Sequence, residues 1–221
     1  ADVHLLAVSK TFDAPHCLAM AAAGQRSFGE NYLQEALAKQ EWMRAHWHEA
    51  PLQWHFIGPI QSNKTRPIAE HFDWVHGVDR LKIAQRLSEQ RPEHLAPLNI
   101  CLQVNISREP SKSGVLPEDV AELAEAVAAL PRLKLRGLMA IPAPAEDSEG
   151  RRQPLRELRE CLQSLPMPLD TLSMGMSDDL GEAVQEGATL VRVGTALFGE
   201  REKPSAPAHT TAPNTQTKDT P

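Results

Sequence analysis

The chain has 221 residues, enough for one sizeable core or two small ones, and its 41% apolar and 24% charged content excludes fibrous and disordered classes. A formal net charge of −6 with no dense basic block excludes a general nucleic-acid-binding surface. No apolar stretch approaches the roughly 20 residues of a membrane helix, and Cys17, Cys101 and Cys161 form no CxxC pair or disulfide framework, so they read as reduced thiols of a cytoplasmic protein.

The first apolar run, 3–9, is a predicted strand that ends at Lys10. A helix over 14–23 follows, with Pro15 early in it and Gly24 just past its end, where a left-handed cap is wanted. A strand over 27–30 and a helix over 31–46 come next, then a strand over 53–57 and a helix over 63–71. The pattern repeats with a strand over 73–77 and a helix over 80–91 that has Asp79 ahead of it as a start signal. The run at 99–105 is mostly apolar rather than alternating, as expected of a strand covered on both faces. Pro117-Glu118-Asp119 opens a helix to 130, and Arg132, Lys134 and Arg136 alternate with leucines around a strand over 134–139. In a helix over 149–164, Arg151, Arg152, Arg156 and Arg159 alternate with acids and suit a solvated face. A strand over 170–174, a helix over 178–187 closed by Gly187, and a strand over 189–193 complete the series.

Eight strands separated by seven helices predict a single (β/α)8 TIM-type barrel over residues 1–202. A flavodoxin-like open sheet is the alternative. The chain begins almost directly on a strand, and no helix of useful length follows the eighth, so an N-terminal covering helix is expected to be missing. The Pro/Thr-rich stretch 203–221 reads as a disordered tail.

In such barrels chemistry sits at the C-terminal strand ends, with phosphate often held after strands seven and eight. Lys10 stands at the end of a strand where an ammonium loses hydration. An amine kept neutral there attacks carbonyls to give Schiff bases, whereas the bland alternative is a stem on the rim with its head in water. Ser173-Met174-Gly175-Met176-Ser177 and Arg192-Val193-Gly194-Thr195 offer glycine turns and hydroxyls suited to an anion, with Ser177 as a candidate helix cap. Asn31, His55, Asn105 and Met139 fall at the same level. Taken singly, His55 reads as an interior histidine, and Met139 and Met174 as gap-filling core residues. Taken together they surround a mouth with a lysine, an arginine and an anion cradle, which suits an aldehyde bearing a phosphate. Pyridoxal 5′-phosphate (PLP) is the obvious candidate.

Two other patterns carry less. Gly58-Pro59-Ile60-Gln61-Ser62-Asn63-Lys64-Thr65 nearly spells a phosphate loop, but Asn63 takes the second glycine's place and Pro59 lacks an N–H. His46 and His48 lack a third metal-ligating partner and read as decoration of a helix end.

Leu6-Ala7-Val8-Ser9-Lys10, Phe28-Gly29-Glu30-Asn31-Tyr32 and the run Trp54-His55-Phe56-Ile57-Gly58 with Ile60, Gln61, Asn63 and Lys64 carry a resemblance. So do Leu172-Ser173-Met174-Gly175-Met176-Ser177 with Asp179, and Arg192-Val193-Gly194-Thr195 with Phe198-Gly199. Jointly, over about residues 3–201, the chain resembles the pyridoxal-phosphate homeostasis protein family. The resemblance implies a fold-type III barrel like the N-terminal domain of alanine racemases, with PLP held as a Schiff base on Lys10. It implies Arg192 at the pyridine nitrogen, Ser177, Gly194 and Thr195 on the phosphate, and Asn31, His55, Met139 and Met174 along the ring and its edges. Members usually carry a helix before the first strand, absent here, and the tail has no counterpart. The segment from Asn105 to Gly114 resembles the family's loop after strand five, and its Lys112 reads as a surface lysine rather than a second PLP acceptor.

An arginine partner does not readily give up a proton and so leaves the pyridine nitrogen unprotonated, which weakens the ring as an electron sink. Racemisation also needs acid/base groups on both faces. The sole tyrosine is Tyr32, and no residues remain for a second domain. The favoured reading is therefore a monomeric, cytoplasmic PLP carrier and buffer rather than an enzyme, supporting amino- and keto-acid homeostasis, with PLP-dependent apoenzymes as candidate recipients and no nucleic-acid or membrane partner. A weakly active single-domain amino-acid racemase is the alternative, and a Schiff-base aldolase ranks third because its lysine normally lies on a later strand among acidic partners.

Overall fold

The alternating apolar runs fold into strands and helices in the expected order in the computed structural model, which describes residues 2–199. The strands are β1 (His4–Val8), β2 (Ser27–Glu30), β3 (Gln53–Phe56), β4 (Trp74–Val78), β5 (Leu98–Gln103), β6 (Leu133–Met139), β7 (Thr171–Ser173) and β8 (Leu190–Val193). The helices are α1 (Ala14–Ala22), α2 (Leu33–His46), α3 (Thr65–His71), α4 (Leu81–Gln90), α5 (Val120–Ala128), α6 (Ser148–Ser164), α7 (Leu180–Gln185) and the four-residue α8 (Thr195–Phe198). Short 3-10 turns at Ser62–Lys64 and Pro117–Asp119 lead into α3 and α5. The predicted tail, 203–221, lies outside the described residues.

Local chemistry explains most boundaries. The Asp13 side chain accepts the His16 N–H at 3.2 Å, with Pro15 in the first turn, and Gly24 ends α1 at φ 104°. Asp147 caps α6 by accepting the Gly150 N–H at 2.7 Å. The start signal assigned to Asp79 is corrected: α4 begins from Arg80 without a side-chain cap, because Asp79 is engaged by the Arg80 guanidinium at 2.8 Å.

Every neighbouring pair is parallel, and β8 pairs with β1 through His4↔Leu190 and Leu6↔Arg192, so the sheet closes into an eight-stranded barrel. That closure overturns the open-sheet alternative. The β6–β7 seam requires Gly137, since a Cβ there would lie 1.7 Å from the Thr171 carbonyl oxygen. The main core fills the layer between barrel and helices, with Phe28, Phe72, Leu87, Ile100 and Leu138 fully buried. The arginines of α6 are not simply solvated: Arg152, Arg156 and Arg159 all reach the buried Glu186 beyond α7, at 2.7, 3.5 and 2.8 Å. Among the described residues no helix is long and apolar enough to cross a membrane.

Candidate functional site

The strand register assembles the C-terminal mouth. β1 pairs Val8 with Gly29 of β2 and Ala7 with Val193 of β8. Carried two residues further, the first ladder sets Lys10 beside Asn31, and the second brings up Gly194 and Thr195 on the other side. A cavity of about 190 Å³ opens there, lined by Lys10, Asn31, Ser177, Arg192, Gly194 and Thr195. Val8, Phe12, Ile57, Ile141 and Met176 supply its apolar walls. A larger groove of about 440 Å³ runs along the end of α2 past Arg44, Glu70 and His71. It has no glycine turn and no lysine, so size alone does not single out a site.

The turn that presents Lys10 is held from behind. Thr11 has φ 70°, a left-handed conformation that is costly for a β-branched residue and typical of over-determined functional turns. The Phe12 N–H donates to the Ser9 carbonyl at 3.1 Å, and the Thr11 N–H to Glu35 Oε1 at 2.6 Å. Lys39 Nζ donates to the Ser9 carbonyl at 2.8 Å, to Glu30 Oε1 at 2.5 Å and to Glu35 Oε1 at 3.0 Å. Burial pushes the Glu30 carboxyl above its usual range, and Lys39 partly offsets that. Phe12 then stacks on Phe198 of α8 with centroids 4.9 Å apart. Sequence reasoning missed Glu30, Glu35 and Lys39. The available signal was helical spacing, since Ala36, Lys39, Gln40 and Met43 fall on one buried stripe of α2.

Arg192 is fully withdrawn from solvent except toward the mouth. Its Nη1 donates to the Ser173 carbonyl at 2.7 Å and to Ser173 Oγ at 2.8 Å, and its Nη2 to the Ala140 carbonyl at 2.9 Å. Three of the five guanidinium hydrogens are thereby used on neutral oxygens, and two remain on a residue that lines the cavity. Burial lowers its pKa to about 10, still charged at neutral pH. Among the described lining residues two carry basic groups and none is a carboxylate, so the cavity is arranged for an anion. Asn31 Oδ1 is buried with no hydrogen-bond partner, which leaves an acceptor for a ligand hydroxyl. Ser177, Gly194 and Thr195, the last opening α8, line the same space.

The structure brings together six of the nine predicted residues and sets three apart. His55 does not line this cavity: its Nδ1 meets His76 Nε2 at 2.8 Å inside the barrel, and its ring stacks on Trp74 near the opposite mouth. Met139 packs with Trp74 and Cys101 in a separate buried cluster, and Met174 lies in the main core. Both methionines take the gap-filling alternative. Ser177 is not a helix cap, because α7 starts only at Leu180 from Asp179, which accepts the Met176 N–H at 2.7 Å.

The near-phosphate-loop segment uses its own groups. The Thr65 hydroxyl donates to the Ser62 carbonyl at 3.1 Å, and Arg86 Nε covers both residues. His46 ends α2 and stacks on Trp42, and among the described residues no cluster of three or more His, Cys, Asp or Glu is placed to hold a metal. Lys112 pairs with Glu109 at 2.9 Å and lines an adjoining pocket that shares Asn31, Ile57 and Ile141 with the main cavity. Burial raises the Cys17 and Cys101 thiols to about 11 and 12, so neither acts as a nucleophile at neutral pH.

Comparison with known proteins agrees with this architecture. Residues 1–202 match the alanine racemase N-terminal domain family. The pyridoxal phosphate homeostasis protein of Pseudomonas aeruginosa is 65% identical over 202 residues, covering 91% of this chain and 86% of that protein. The pyridoxal phosphate homeostasis protein of Escherichia coli is 51% identical over 207 residues, covering 91% and 87%. Among solved structures, PipY of Synechococcus elongatus with PLP bound superposes with a TM-score of 0.81 at 40% identity, over 89% of this chain and 92% of that one.

Proposed function

The chain belongs to the pyridoxal phosphate homeostasis protein family, built on the alanine racemase N-terminal domain, and from that membership we propose that it binds PLP and carries it as a Schiff base on Lys10. The observation that carries the proposal is the composition of one cavity: a lysine, a buried arginine tethered only to neutral oxygens, and two hydroxyl-bearing glycine turns, with no lining carboxylate. PLP supplies an electrophilic aldehyde for a neutral amine and a dianionic phosphate.

Each chain residue then has a part. Lys10 reaches the cavity from a turn braced by Glu35 and Lys39. Ser177, Gly194 and Thr195 bind the phosphate through hydroxyls and N–H groups. Arg192 offers its remaining N–H groups to the pyridine nitrogen, and Asn31 offers an acceptor to the ring hydroxyl. Ile57, Ile141 and Met176 exclude water from the ring.

We read the protein as a monomeric cytoplasmic carrier and buffer that supports amino- and keto-acid homeostasis and hands PLP to apoenzymes. The sidedness of the site favours carrying over turnover. Lys10 is the titratable group beside the expected aldehyde, while Tyr32 is 54% exposed and lines a different groove with Gln61 and Lys64. Racemisation needs a second acid/base group across the ring.

The test is direct. Purified chain soaked in PLP should turn yellow, and borohydride should fix one pyridoxyl mass on the Lys10 peptide. A preparation that stays colourless and gains no mass overturns the reading. Stereochemical assay over a panel of amino acids, with turnover abolished in Lys10→Ala, would replace the carrier with the racemase.

A further inference from the structure

A line of four buried polar side chains crosses the inside of the barrel and ends at Arg192. His55 Nδ1 and His76 Nε2 are 2.8 Å apart, His76 Nδ1 and Ser173 Oγ are 2.8 Å apart, and Ser173 Oγ lies 2.8 Å from Arg192 Nη1. β4 and β7 are not neighbours in the sheet, so the His76–Ser173 bond spans the interior. All four residues are at most 4% exposed, and they lie among the strands rather than in the cavity wall, apart from Arg192 itself.

One direction of hydrogen bonding runs unbroken from the arginine end of this line to His55. A guanidinium only donates, so Ser173 Oγ accepts from Arg192, and its own hydrogen is free to turn to His76 Nδ1. In that arrangement His76 carries its proton on Nε2 and gives it to His55 Nδ1, which leaves the His55 proton on Nε2. That last atom is buried with no hydrogen-bond partner among the described residues, on the side facing the opposite mouth. No carboxylate enters the line. An acid in the place of Ser173 or His76 would neutralise Arg192 from behind and weaken it as a donor toward a ligand.

We propose that His76, acting through Ser173, is a positioning residue for Arg192: the uncharged donor line fixes the plane of the guanidinium and leaves its positive charge to the ligand cavity. This inference rests on PLP being that ligand for its optical readout, but not for its structural one. Burial, and the neighbouring Arg192 charge in the case of His76, hold both imidazoles neutral. Neutrality is what the line requires, because an imidazolium at His76 has no lone pair with which to receive the Ser173 hydroxyl.

Two measurements test it. In the chain without added PLP, 15N NMR of labelled histidine should show His76 and His55 as neutral Nε2–H tautomers at pH 7. A His76 that is charged, or protonated on Nδ1, overturns the proposal whatever the chain binds. In the PLP-loaded chain, His76→Phe should displace the visible absorption maximum and weaken PLP about tenfold, the scale of one lost orienting hydrogen bond. Borohydride should still fix the cofactor on Lys10. His76→Gln, which can accept from Ser173 and donate toward His55, should return both readings to within about twofold of the unaltered chain. A folded His76→Phe protein with unchanged spectrum and affinity overturns the proposal. If the unaltered chain takes up no PLP, the carrier reading fails while the tautomers still report on the line.

Discussion

Lys39 Nζ lies 2.5 Å from Glu30 Oε1, with side-chain exposures of 3% and 0%, immediately behind the turn that presents Lys10. A lysine and a glutamate so thoroughly desolvated are stabilised by each other and by Ser9, and removal of one leaves the other charge stranded. Lys39→Met should therefore cost about 3–5 kcal/mol in urea unfolding, far above the usual surface lysine. The double variant Lys39→Met/Glu30→Met should recover part of that loss. A single-variant cost below about 1 kcal/mol would mean that water replaces the ammonium.

The two ends of the cavity should separate by mutation. Lys10→Ala should abolish the borohydride-fixed mass while PLP still binds through its phosphate, more weakly, and inorganic phosphate binds as before. Equal loss of inorganic phosphate would place the anion site on Lys10 instead of the glycine turns.

Ser177→Ala and Thr195→Val should each weaken PLP about tenfold, the scale of one hydrogen bond to a charged group. Affinity for pyridoxal, which lacks the phosphate, should stay within about twofold. Fluorescence titration with both ligands decides this. A parallel loss for pyridoxal would show that the two hydroxyls shape the cavity rather than hold an anion.

Gly58 supports Asn31 by what it lacks. A Cβ there would sit 2.7 Å from the Asn31 carbonyl oxygen and 3.0 Å from its Cα, both backbone atoms that cannot swing aside. Gly58→Ala should destabilise by about 1–3 kcal/mol and push Asn31 off its place beside Lys10, so the thermal midpoint and PLP affinity should fall together. Loss of stability with unchanged affinity would remove Asn31 from the ligand's surroundings.

The barrel was legible in the sequence because each strand is a short apolar run between helical patterns, and parallel strands buried on both faces need no alternation. Lys10, Arg192 and the turns after β7 and β8 were legible because strand ends are the place where polar residues interrupt those runs. Strand position places His55 at the mouth because it fixes only the height of a residue, while its hydrogen-bond partner fixes where it acts. Only the closed barrel puts His76 beside it and Ser173 across from it. Glu30 and Lys39 escaped notice for a related reason: a charge pair 9 residues apart has no sequence signature until β2 and α2 pack together.

The buried histidines also set an acid limit. Burial brings the His55 pKa from 6.5 down to about 3, and burial, with His55 and the Arg192 charge beside it, holds His76 well below its ordinary value. A lowered native pKa means that the unfolded chain binds the proton first, so the contribution to stability is present above pH 6.5 and is lost as pH falls toward 3. For His55 the loss is about 1.4 kcal/mol per pH unit across that window. Glu30, whose carboxyl is raised by burial, works in the opposite sense, so the total curve mixes both signs. The difference between the unaltered chain and His55→Gln isolates the histidine, because glutamine still accepts from His76 and does not titrate. Urea midpoints taken at several pH values between about 7 and 4 should fall more steeply for the unaltered chain than for His55→Gln. Parallel curves would show that His55 is protonated without cost, and would leave the interior line of donors without its neutral member.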